Sequence, residues 1–251
     1  MTKIYAEIIG TMILIFLGNG VVANVVLSKT KGHSSKSAEW IIIALGWALA
    51  VFMGIIVSAP YSGAHMNPCV TISFAIIGKF DWEMVPYYIV SQLIGAMLGS
   101  LLVWLLYKDH FLATENEQEK LSVFVTVPSI KNFFWNFLSE VLATFFFIFI
   151  SLYLTKGTIL LQGQKHPVGI GSLEALPASL VVLGIILSLG GATGAAINPV
   201  RDMGPRIIYS IIILICGKGK NNWDYAFIPV IGPIFGSVLA AMFYLFLSNN
   251  L

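Results

Sequence analysis

Charge is what this sequence has least of. Only 10% of its 251 residues are Asp, Glu, Lys or Arg, where soluble domains carry about a quarter, so it lacks the polar surface to cover a globule in water. Two cysteines supply no disulfide framework. A formal net charge of +2 supplies no field to hold a nucleic acid. The four histidines show no ligand spacing, so neither a metal nor another cofactor is expected. Arginine is scarce as well: Arg201 and Arg206 are the only two, and the other twelve basic residues are lysines. What is abundant is apolar. Hydrophobic residues make up 57% of the chain and mean hydropathy is +0.87. Disorder is excluded, and the partner this composition demands is a lipid bilayer.

A helix needs about 20 apolar residues to cross the hydrocarbon layer. Ile4–Leu27, Trp40–Ala59, Met84–Tyr107, Phe133–Leu154, Ala175–Gly190 and Tyr225–Leu247 meet or approach that length. The first is too long, and too poorly ended by small residues, for a cleaved signal peptide. Residues 40–78 contain no charged side chain, too much for one span and too little for two. Pro60, Gly63 and Asn67-Pro68 interrupt that run and leave Pro68–Ile77 as a half-span. The same happens after Gly190, where Gly191–Gly194 leads to Asn198-Pro199 and another short helix. Ser28–Glu39, Lys108–Lys131 and Lys156–Glu174 read as loops, Lys218–Asp224 as the lead into the last span, and Glu115–Glu119 as a solvated loop face. The expected fold is an all-α membrane protein with six transmembrane helices and two half-membrane helices.

The chain is also written twice. Ser62-Gly63-Ala64-His65-Met66-Asn67-Pro68 matches Thr193-Gly194-Ala195-Ala196-Ile197-Asn198-Pro199. Glu7 with Thr11 and Phe16 matches Glu140 with Thr144 and Phe149, and Gly95 with Gly99 matches Gly232 with Gly236. The repeats occupy roughly 1–110 and 132–251 of a single domain. With three spans in each, the second copy enters from the opposite face, and inverted repeats place their site at the midplane where broken helices meet.

The chemistry follows from those breaks. Asn caps a helix well, and Pro at its first position sacrifices no hydrogen bond. An Asn67 oxygen turned to Cys69 or Val70 leaves the carboxamide NH2 pointing away from the helix, and Asn198 repeats this over Val200 or Arg201. Together with two helix dipoles these donors suit a hydroxyl oxygen and repel cations. The alternative is that Asn-Pro merely starts a buried helix; its recurrence at matched repeat positions favours the pore. Unwound backbone at Tyr61–Met66 and Ala192–Ile197 survives at membrane depth only when buried or lining a wet cavity, so Gly63, Ala64, His65, Gly194 and Ala196 are candidate pore lining. Glu7 and Glu140 are the only carboxylates in the full spans. They are either a proton relay or acceptors for the amides of the bent loops, and symmetry favours the second. Arg201 is either a filter charge or a membrane-edge residue. Asp202 stands four before Arg206, a pairing distance on a helix. The Gly-x-x-x-Gly pairs are packing devices.

Taken together, these residues resemble the aquaporins (major intrinsic proteins): an inverted repeat, two Asn-Pro half-helices and a Glu in the first helix of each half. Asp202 directly after the Arg, Arg206 after Gly204-Pro205, Pro229 near the start of the last helix and the long stretch from Ile207 to Phe227 resemble the glycerol-facilitator (aquaglyceroporin) branch. The resemblance implies a selectivity filter of Trp47, Ile186, Ala195 and Arg201, with Trp47 against the alkyl face of glycerol. It implies a homotetramer in the cell membrane with both termini in the cytoplasm, although four lysines then fall inside and eight outside, against the positive-inside tendency. Cys69 and Val200 depart from the family's Asn-Pro-Ala, and Ala195 stands where facilitators usually carry an aromatic. The expected function is passive passage of glycerol, water and other small neutral solutes, with no enzyme activity. The alternatives are a water-selective pore, a nodulin-like channel for small acids, urea or hydrogen peroxide, a proton-coupled transporter built on Glu7 and Glu140, and a membrane enzyme, for which no nucleophile–base pair or metal cluster is found.

Overall fold

The computed structural model describes residues 1–250 apart from 34–35, 156, 162–163, 217–218 and 220. Lys156, Lys218 and Lys220, three of the lysines in the charge count, lie outside the described residues. Among the described residues, six helical segments are long and apolar enough to cross a membrane. Their helices are α1 (Lys3–Val26), α2 (Lys36–Ser62), α4 (Val85–Ala113), α6 (Phe133–Leu152), α7 (Leu176–Leu189), which reaches span length together with the helical turn Gly171–Ala175 before it, and α9 (Phe227–Asn250). Between them lie α3 (Pro68–Ile76), α5 (Glu117–Phe124) and α8 (Pro199–Cys216), with strands β1 (Thr158–Leu161) and β2 (Gln164–Pro167).

Side-chain caps fix several of these starts by satisfying amides the helix leaves free. The Thr2 hydroxyl accepts from the Tyr5 amide at 3.4 Å, and the Asn132 oxygen from the Trp135 amide at 3.2 Å. Glycine then lets the long helices approach. A methyl group at Gly95 would overlap the Ile8 carbonyl oxygen on α1, and one at Gly236 would overlap that of Val141 on α6. The α1–α4 and α6–α9 pairs that result are equivalent in the two halves. The halves also grip each other: α3 packs on α9, α8 on α4, and α2 on α7.

Four expectations need correction. The helix after Asn198 is 18 residues long where a short one was expected, and it runs on through Pro205. Pro60 lies inside α2, near its end, and does not interrupt it. The stretch Lys108–Lys131 is no open loop: α4 bends at Tyr107 (φ −104°, ψ 16°) and continues to Ala113. Helix α5 then forms under an Asn116 cap, whose oxygen accepts from the Gln118 amide at 2.9 Å, so the Glu115–Glu119 patch reaches into a helix start. Finally, Lys156–Glu174 contains an antiparallel hairpin, pairing Thr158 with Pro167 and Leu161 with Gln164, a small β element in an otherwise helical chain.

Candidate functional site

Two Asn-Pro sequences start α3 and α8 and bring their first turns together. The Asn67 Oδ1 accepts from the Cys69 amide at 2.8 Å, and Asn198 Oδ1 from the Val200 amide at 3.2 Å. The amide nitrogens do not both point freely outward as expected. Asn67 Nδ2 donates to the Ile197 carbonyl at 3.0 Å, and Asn198 Nδ2 to the Met66 carbonyl at 2.9 Å. Each loop is therefore tied to the other half's helix cap, and each NH2 retains one further hydrogen for a ligand.

The approach loops have one backbone pattern. Gly63, Ala64 and Met66 take φ of 82°, 55° and 49°, and Gly194, Ala195 and Ile197 take 90°, 46° and 45°. Four of these six carry side chains in a region that disfavours them, so the conformation needs outside support. Glu7 and Glu140 supply acceptors at the same places. Glu7 Oε1 accepts from Ser62 Oγ at 2.6 Å and the His65 amide at 3.0 Å. Its Oε2 accepts from the Met66 amide at 2.7 Å and Gln92 Nε2 at 2.8 Å. Glu140 Oε1 accepts from the Thr193 hydroxyl and the Ala196 amide, and Oε2 from the Ile197 amide at 3.2 Å. Gln92 was not anticipated. Its signal was a lone amide in an apolar helix, and counting from the Gly95–Gly232 pair its counterpart is Pro229, which has no donor to offer Glu140.

These loops line a cavity of about 470 Å³. Val26 and Trp40 stand at one end, and Leu154 and Glu174 at the other. Since successive spans alternate in direction, those ends belong to opposite faces of the bundle. One wall is polar: residues 63–67 and 194–198 with Arg201. The facing wall is apolar, with Trp47, Val51, Ile55, Phe147, Val182 and Ile186. All four residues of the expected filter, Trp47, Ile186, Ala195 and Arg201, reach this cavity, as do Gly63, Ala64, His65, Gly194 and Ala196. The Arg201 guanidinium lies 4.3 Å from the Trp47 ring centre, and its Nη1 donates to the Phe124 carbonyl at 3.1 Å. Trp47 thus covers one face of the cation while its donors stay in the polar wall.

Asp202, Arg206 and Pro229 do not reach the cavity. Asp202 and Arg206 form an ion pair of 2.7 Å behind it, both fully buried, and Pro229 is buried at the start of α9. Because Asp202 is spent on Arg206, Arg201 has no ion-pair partner among the described residues. Its side chain lines the cavity. The segment Val125–Val127 also lines the cavity. It was missed because it lies in a stretch that carries no periodic pattern.

Comparison with known proteins agrees with this geometry. The profile of the family described as major intrinsic protein matches residues 1–244. A glycerol uptake facilitator protein of Streptococcus pneumoniae is 46% identical over 245 residues, covering 97% of this chain and 98% of its own. One from Bacillus subtilis is 42% identical over 244 residues, covering 97% and 84%. Among solved structures, the aquaglyceroporin from Plasmodium falciparum superposes with a TM-score of 0.76 at 33% identity, covering 96% of this chain and 94% of that one.

Proposed function

The chain belongs to the major intrinsic protein family, and from that premise we propose that it is a passive channel for glycerol and other small neutral solutes, also passing water. It is a multi-pass membrane protein and a channel, not an enzyme. The observation that carries the reading is a cavity between the two faces with carbonyls, Asn67, Asn198 and Arg201 on one wall and aromatic and aliphatic side chains on the other. A polyol has hydroxyls along one edge and carbon–hydrogen bonds along the other, so it exchanges hydration for both walls at once. The relatives named glycerol uptake facilitator support the choice of solute.

In this reading Trp47, Ile186, Ala195 and Arg201 form the selectivity filter, and Asn67 and Asn198 donate to the solute at the midplane. Glu7 and Glu140 brace the loops, and Asp202, Arg206 and Pro229 belong to the scaffold behind the filter. The halves 1–110 and 132–251 act as inverted repeats. The protein works as a homotetramer in the cell membrane, with one pore per chain and both termini in the cytoplasm.

Purified protein in liposomes tests this by light scattering. Glycerol entry well above that of protein-free vesicles is expected, with no conductance to protons. Glycerol flux equal to lipid alone would overturn the reading. Cross-linking in the membrane and tag accessibility at each terminus test the tetramer and the orientation.

A further inference from the structure

Helices α1 and α4 run side by side in the same direction. A methyl group at Gly99 would lie 2.6 Å from the Met12 carbonyl oxygen, and one at Gly95 would lie 2.3 Å from that of Ile8. The inward stripe of α4 below Gly95 is committed to the first bent loop: Tyr88 donates to the Ser62 carbonyl at 2.9 Å, and Gln92 to Glu7. Pro86, Val90 and Ile94, four residues apart, form another stripe. With Ile4 and Ile8 of α1 they wall a groove of about 560 Å³. Ser91 also lines it but spends its hydroxyl proton on the Tyr87 carbonyl, 2.7 Å away. Both walls belong to membrane spans, and Val90 and Ile94 are exposed, so the groove opens to the hydrocarbon layer and suits an apolar occupant. The other half of the chain is built differently here. The repeat matches Ile4 with Phe137 and Val90 with Phe227. The Phe137 ring reaches within 3.7 Å of a methyl placed on Gly232, the counterpart of Gly95. Two aromatic rings thus stand where the first half has an isoleucine and a valine.

We propose that this groove holds one acyl chain of a membrane phospholipid, with the lipid phosphate at Lys3. Lys3 directly precedes Ile4, is exposed, and forms no ion pair among the described residues. A lysine at the foot of a span extends its ammonium to the headgroup level. Exposed Tyr5, Trp82 and Tyr87 mark the same level, where aromatic side chains gather at the bilayer interface. Asp81 and Glu83 are exposed just before α4 and add negative charge to that end. The open end therefore suits a zwitterionic headgroup, its phosphate at Lys3 and its ammonium toward the two acids. The chain's own repeat explains why one lipid is held in the first half: the side chains that would occupy the groove are absent there.

Native mass spectrometry of the purified protein in detergent, with added phosphatidylethanolamine, counts the lipid retained, a count that does not depend on which solute the pore passes. Ile4→Phe combined with Val90→Phe copies the rings of the second half into the groove and should lower the retained fraction about threefold or more. Leu105→Phe, on the exposed face of α4 outside the groove, should retain lipid as the native protein does. Equal retention in the native protein and the groove variant overturns the inference. If the double variant fails to assemble, Val90→Phe alone decides, because that side chain is exposed and packs no core. Diacylglycerol with the same chains should be retained less than the phospholipid, and equal retention overturns the place given to Lys3. A cysteine at position 90 that cross-links to a second copy in the membrane would put protein in the groove and overturn the inference as well.

Discussion

Consider the removal of Glu7 in two steps. In Glu7→Ala both acceptor oxygens vanish. Ser62 Oγ can turn to the Ser58 carbonyl, 3.3 Å away, and Gln92 Nε2 still has Thr71 Oγ1 at 3.0 Å. What remains without an acceptor are the backbone amides of His65 and Met66. Orphaning a buried amide costs about 1–3 kcal/mol, so the pair should cost about 2–6 kcal/mol. Glu7→Gln offers one oxygen and one NH2, and in either orientation one of those two amides faces the NH2. The expected cost is then about 1–3 kcal/mol, eased by removing a buried charge. Glu140 predicts the same ladder, with Ala196 and Ile197 as the orphaned amides. Unfolding midpoints in detergent, read beside glycerol flux in liposomes, measure it. The refuting result is a glutamine variant of native stability with no flux, because that outcome requires the carboxylate to act on protons or solute.

Other substitutions probe separate parts of the pore. Gly18→Ala places a methyl inside the Trp47 ring; it should displace the indole and cut glycerol flux several-fold although alanine favours the helix, and unchanged flux would show that the ring has room to move. Gly95→Ala forces α1 and α4 apart at the Ile8 carbonyl and should destabilise the protein by about 1–3 kcal/mol in denaturation. Ala195→Phe should slow urea and xylitol more than water, and equal slowing of all three would contradict a filter role. Arg201→Val removes the cation that lines the filter and should admit protons, seen with a pH-sensitive dye in the vesicle lumen.

The spans were legible because the bilayer sets their length and composition, and the bent loops because Asn-Pro occurs at matched positions in both halves. The residues of the polar wall could be named in advance for the same reason. Less visible was what depends on contacts between distant segments. Gln92 is a single amide whose meaning appears only beside Glu7. Thr126 lies in a polar stretch without period, and its place in the pore is set by Asp202, 76 positions away. The length of α8 was not legible either, since the parallel with the short α3 suggested a half-span and the helix instead runs on through Pro205 to Cys216. The hairpin at Thr158–Pro167 follows local strand pairing that an apolar-run reading does not register.

The exchange of bonds between the two Asn caps has a consequence for how the protein is made. Helix α3 has nine residues, roughly 14 Å at the usual rise, and cannot cross the bilayer. Its Asn67 donates to the Ile197 carbonyl, and the Met66 carbonyl waits for Asn198. None of those partners exists until the ribosome has passed residue 198. The first half must therefore enter the membrane with its central turn unfinished, and the pore closes around its axis only when the second half arrives. Severing the chain between the halves and supplying both pieces should restore transport; either piece alone has no midplane to offer.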